Sequence, residues 1–234
     1  MGDYKKFIET NFPNSGLNNN SSLETLYKRI CENNVLTDVL GKYILNFISE
    51  HPEIKPEFVF YNNYAAYTNK LLLYLPLGDY SSIHFCLRSS IEQILKFLYS
   101  CYFSHDFNHI KKTSFRFLKE NFRELNTIPE PCKKSIELLL KYYGSFSNAV
   151  HLKVKDTMEI TFLEDMIKST DINLSRINDW LIDIINSYQI IICYKFQIKQ
   201  EDLSTSDIIR LRNNTSKKRF SNILSQMYKS SSLP

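Results

Sequence analysis

The stretch "SSIHFCLRSSIEQILKFLYSCY" (residues 81–102) decides the fold class. In it Leu87, Ile91, Ile94, Leu95 and Leu98 recur at three- and four-residue steps, the spacing that lays apolar side chains along one side of an α-helix. The run follows "PLGDY" (76–80), where Pro76 and Gly78 make a turn, and Ser81 or Ser82 is the expected cap. Upstream, "EFVFYNNYAAYTNKLLLYL" (57–75) reads as another helix, set off by Pro52 and Pro56, which cannot donate into a helix interior. Before those prolines, "SLETLYKRICENN" (22–34) and "VLTDVLGKYILNFISEH" (35–51) read as two more, the first opening on Ser22.

Downstream, a short helix is expected within 108–125, a long one over 131–151 and a last core helix over 173–196. "HLKVKDTMEITF" (151–162) departs from this period. Its Val154, Met158, Ile160 and Phe162 alternate with polar residues, which predicts a short extended or hairpin element near 154–162. The segment "NFPNSGLNNNSS" (11–22) is polar and without period. The expected organisation is therefore a flexible lead-in over 1–21, one all-α compact helical bundle over 22–200, and a basic extension over 201–234 carrying a short amphipathic helix.

Composition agrees with that outline. At 234 residues with 43% hydrophobic content the chain can bury a sizeable core, and its 5 glycines and 7 prolines are too few for the turns of a many-stranded fold. The 5 cysteines are odd in number, widely spread and set in apolar helical runs, which predicts reduced, packed thiols. "MGDYKKFIETNF" (1–12) lacks the apolar core of a signal peptide, and the greasiest run, "LIDIINSYQIIICYKF" (181–196), is broken by Asp183, Asn186 and Gln189. The expectation is a cytoplasmic protein without stable membrane insertion. Residues 208–234 carry +6 and no acid, while the other 207 residues sum to −2. Any polyanion contact is thus expected on the tail, at Arg210, Arg212, Lys217, Lys218 and Arg219, and the body is no general polyanion binder. Lys217, Lys218 and Arg219 crowd the start of a helical run whose macrodipole disfavours cations there, so either RNA, an acidic protein partner or a membrane surface is the counterpart, or the run is a terminal helix docked on its own body.

Two helical runs also hold polar groups near their apolar stripes. Arg88 and Glu92 lie four residues apart beside the row that begins at Leu87; in "YYGSFSNAVHLK" (142–153), Tyr143, Ser147 and His151 fall on one side with Asn148 adjacent. A buried guanidinium needs a polar partner, and a histidine exchanges protons near neutral pH, so Arg88 beside His151 could neutralise a phosphodiester while the imidazole acts as acid or base. Ser147, Asn148 and Glu92 would orient the pair. Other constellations are thinner. His105 and His109 flank Asp106 without an evident third metal ligand, and "KKTSFRFLKENFR" (111–123) reads as a solvated helix face with its aromatics inward. Ser147, His151 and Asp156 lack a nucleophile elbow, and no phosphate loop, dinucleotide fingerprint or zinc ribbon is present, so neither a metal nor a cofactor is expected.

"LRSSIEQILKFLY" (87–99), followed some 50 residues later by "YYGSFSNAVHLK", resembles the HEPN superfamily over about residues 57–196. The resemblance implies a helical bundle, a homodimer, a setting in bacterial antiviral defence or toxin–antitoxin systems, and RNA as target. In active members an Arg precedes a His with four to six residues between them, and pairs from two subunits form a metal-independent endoribonuclease site. Here positions 144, 145 and 146 are Gly, Ser and Phe, so His151 matches and the motif's Arg is missing. Either Arg88 supplies the guanidinium, or cleavage has been lost and the bundle serves as a binding or regulatory module for nucleic acid or protein. A helical adaptor outside that superfamily would leave His151 to packing.

Overall fold

Among the described residues, seven helix starts are fixed by a short polar side chain (Asn20, Asp79, Asp106, Ser114, Asn173, Ser204 and Ser216) that accepts from an otherwise orphaned backbone N–H. The computed structural model describes residues 2–18, 20–103, 106–150 and 173–229. Within them run α1 (Gly2–Asn11), α2 (Ser21–Glu50), α3 (Phe58–Leu77), α4 (Tyr80–Tyr102), α5 (Phe107–Lys112), α6 (Phe115–Glu124), α7 (Glu130–Val150), α8 (Leu174–Lys195), α9 (Thr205–Asn214) and α10 (Lys217–Ser225). The described residues contain no strand, and the protein is all-α, as the periodicity requires. The stretch expected to be extended near 154–162 lies outside the described residues.

The caps refine the sequence reading. Asn20, not Ser22, starts α2 by accepting from Ser22 N at 3.0 Å. Gly78, at φ 69°, ends α3 in the left-handed conformation that glycine adopts without strain, with Gly78 N on Leu75 O and Asp79 N on Tyr74 O. Asp79, not Ser81 or Ser82, then opens α4 by accepting from Ser82 N at 2.9 Å. The tight turn folds α4 back along α3.

α4 is the central rod. Ile83, Leu87, Ile91, Leu95 and Leu98 are buried, and the helix packs against α3, α7, α5, α6 and α8. α8 lies between α7 and α2 and closes the bundle with Trp180, Leu181, Ile184, Tyr188 and Ile192. No described helix is long and apolar enough to cross a membrane.

The N-terminal end departs from expectation, because it carries apolar side chains that find a seat. The lead-in is folded. In α1, Tyr4 and Ile8 are buried, Tyr4 stacks on Tyr27 at 4.7 Å and its hydroxyl donates to Leu72 O at 3.0 Å; beyond it Ser15 donates to Pro76 O at 2.7 Å and Leu17 is 1% exposed. The basic extension is likewise docked on the body. Leu211, Ile223 and Met227 are buried, Gln189 Nε2 donates to Ile223 O, and Tyr228 N donates to Ile198 O at 3.0 Å. Ion pairs fix it further: Asp207 meets Lys42 at 2.7 Å and Tyr43 Oη at 3.0 Å, and Arg210 pairs with Asp38.

Candidate functional site

α4 carries a polar row at helical repeat: His84, Arg88, Glu92 and Lys96, each four residues after the last. α7 runs antiparallel beside it, since His84 meets Phe146 (ring centroids 5.4 Å apart) while Arg88 meets Tyr143. The half-buried Arg88 donates from Nη2 to Tyr143 Oη at 2.8 Å, and the Tyr143 hydroxyl faces Glu92 Oε2 at 3.5 Å. Glu92 Oε1 in turn binds Lys96 Nζ at 2.9 Å, and that ammonium also donates to Lys111 O at 2.8 Å. Phe115 of α6 lies flat on the Tyr143 ring, 3.5 Å between centroids at 7°. Arg88 Nε is buried without a partner.

The electrostatics follow from burial. Desolvation pushes the Tyr143 phenol above its ordinary pKa, an effect that the Arg88 hydrogen bond opposes and Glu92 reinforces, so it remains a neutral hydroxyl at pH 7. His84 is enclosed by Tyr80, Phe146 and Trp180; burial and the nearby Arg176 cation lower its pKa to about 4, so it remains uncharged as well. The row is an internal cation–phenol–carboxylate chain across the α4–α7 seam, with one cation in excess.

Arg88 and Glu92 meet through Tyr143. Ser147 and Asn148 sit one turn further along α7, about 6 Å, where Ser147 is half-buried and Asn148 exposed. His151 lies outside the described residues. His84 and Lys96 were not singled out from sequence, although the unbroken four-residue repeat 84–88–92–96 was there to be seen. Of the metal candidates, His105 lies outside the described residues, while Asp106 caps α5 by accepting from His109 N at 2.9 Å. Among the described residues no three His, Cys, Asp or Glu side chains gather as metal ligands. Of the "KKTSFRFLKENFR" aromatics, Phe122 is buried and Phe115 covers Tyr143, but Phe117 is 43% exposed.

The C-terminal face divides the five basic residues expected to bind a partner. Arg212, Lys217 and Lys218 are exposed, and Arg210 is exposed while paired with Asp38. Arg219 is not available: it is 7% exposed, its Nε bound to Glu32 Oε1 and its Nη1 to Asn186 Oδ1. Arg29 takes the other Glu32 oxygen, so two guanidiniums share one buried carboxylate. A lone buried cation would be costly, and the acid that answers Arg219 comes from α2, 187 positions earlier, where sequence spacing gave no signal. The fold and site thus define an all-α bundle with a polar seam between α4 and α7 and exposed cations on α9 and α10. The chain matches no family model, no curated protein and no solved structure.

Proposed function

We propose that the chain is an RNA-binding helical module, HEPN-like in the sense of its resemblance over 57–196, whose contact with RNA is made by the exposed cations of α9 and α10. What carries this reading is the split of charge: Arg88 is engaged by Tyr143 inside the seam, whereas Arg212, Lys217 and Lys218 stand in solvent on an acid-free segment. Exposed cations clustered on one face supply the sequence-independent part of nucleic-acid affinity. The defence or toxin setting and the homodimer that the resemblance implies belong to the same proposal.

Fluorescence anisotropy with a single-stranded RNA tests it. Arg212→Ala combined with Lys217→Ala should weaken binding about tenfold and flatten the salt dependence by about 1.4 in slope, the loss of two phosphate contacts. Unchanged affinity and slope, or tail-dependent capture of an acidic protein with no RNA binding, would overturn it.

A second reading, the metal-independent endoribonuclease, is favoured by one observation: the α7 row that in sequence leads to His151 begins at the residue that grips Arg88. RNA incubated with chelator separates the two. Cleavage by the wild type that is lost in both His151→Ala and Arg88→Ala supports the enzyme, and intact RNA throughout removes it.

A further inference from the structure

The first turn of α10 inverts the usual charge preference of a helix. Lys217, Lys218 and Arg219 occupy it and no acid does, although the macrodipole and the exposed amides there favour negative charge. Ser216 Oγ accepts from Arg219 N at 3.2 Å, but the amides of Lys217 and Lys218 have no carbonyl within the helix to bond. Beside this turn runs a groove bordered by Arg29 of α2, Ile182 of α8, and Ser216, Lys218, Arg219 and Asn222. Two guanidiniums meet there over a single carboxylate, and each retains a nitrogen, Arg29 Nε and Arg219 Nη2, that is shielded from water and lacks an acceptor. Such groups are undersupplied with negative charge.

The geometry points to a phosphate-class oxyanion site in this groove, with the first-turn amides of α10 and Lys218 as ligands and the Arg29–Arg219 pair as the positive field beneath. A helix amino terminus with convergent cations is the ordinary recipe for such binding. The groove holds roughly 680 Å3, within the range of about 300–1,000 Å3 seen for ligand pockets. Inorganic phosphate and a phosphate monoester with its organic group both fit. The site stands whether or not RNA is the macromolecular partner.

Isothermal titration with inorganic phosphate and with AMP, at constant ionic strength, tests it on wild type, Lys218→Glu and Asn222→Asp. Both positions are exposed, so folding is retained, which circular dichroism checks. Each substitution puts a carboxylate beside the anion and should weaken binding at least tenfold. A 5′-phosphorylated RNA that binds more tightly than its 5′-hydroxyl counterpart, with the advantage lost in Lys218→Glu, identifies an RNA end as the source; tighter AMP or phosphate binding without that advantage identifies a free small anion. No response beyond that to matched chloride, or wild-type affinity in both variants, overturns the site. Unchanged RNA affinity in the Arg212→Ala, Lys217→Ala test would overturn the RNA reading and leave this site untouched, because neither side chain is a ligand here.

Discussion

Tyr143 is where chemistry and packing meet most closely. Its ring is covered by Phe115 and its hydroxyl accepts from Arg88, so the phenol serves as the polar partner that a half-buried guanidinium needs. Removing the oxygen alone leaves the stack, worth about 0.5–1.5 kcal/mol, and strands one Arg88 N–H. Tyr143→Phe should therefore lower the unfolding free energy by about 1–2 kcal/mol, read from the urea midpoint with an unchanged slope, and leave RNA affinity alone. A neutral effect on stability would mean that Arg88 is hydrated in place and the seam is not sealed. Neighbouring His84 makes the contrasting point, since its uncharged ring is held by aromatic neighbours and needs no counter-charge.

At the level of elements, the attachment of α9 to α2 has a pH sign. Asp207 is buried and burial by itself raises its pKa, but hydrogen bonds from Lys42, Ser204 and Tyr43 outweigh that, and the net value is below the ordinary carboxylate range. The folded state then binds this proton less readily than the unfolded chain, so the contribution is complete above about pH 4 and fades as pH falls through that range. Hydrogen exchange should show α9 and α10 losing protection as the pH falls below about 4, ahead of α4. In Asp207→Asn the loss should already be present at pH 7, with a flatter pH response. If wild type and variant follow the same curve, Asp207 does not hold the helix. Such long-range pairs mark the limit of what the sequence makes legible. The 3.6-residue period located α3, α4, α7 and α8 to within a few residues, because their apolar stripes decide. It split α2 in two at Asn33 and Asn34, which read as a break. In the fold, Asn33 is an interior strut, donating to Thr68 Oγ1 at 3.1 Å and accepting from Tyr64 Oη at 2.6 Å, and the helix runs on for 30 residues. Arg88 with Glu92 was readable from spacing; Glu32 as the answer to Arg219 was not, since the two are brought together by the whole bundle.

For the molecule as a whole, the thiols give a readout of how the core holds together. Cys86 and Cys101 lie on α4, Cys132 on α7 and Cys193 on α8, all buried, while Cys31 on α2 is half-buried in a separate groove facing residues 213–216, where α9 ends and α10 begins. Burial raises the Cys86 thiol to about 11 and Cys101 and Cys132 to about 12, and pushes Cys193 up as well. Because the thiolate is the reacting form, both low ionisation and exclusion of reagent protect these four. In buffer at pH 8 an aromatic disulfide reagent should titrate one thiol, Cys31, within minutes, and all five only once the chain is unfolded. A bundle organised around one central helix should open as a single unit, so the four protected thiols should become reactive with a common denaturant midpoint. Separate midpoints, with Cys132 released ahead of Cys86, would mean that α7 detaches from α4 on its own. The seam at Arg88 and Tyr143 would then be a hinge between two folding units, and the Tyr143→Phe substitution would shift the first transition while leaving the second in place.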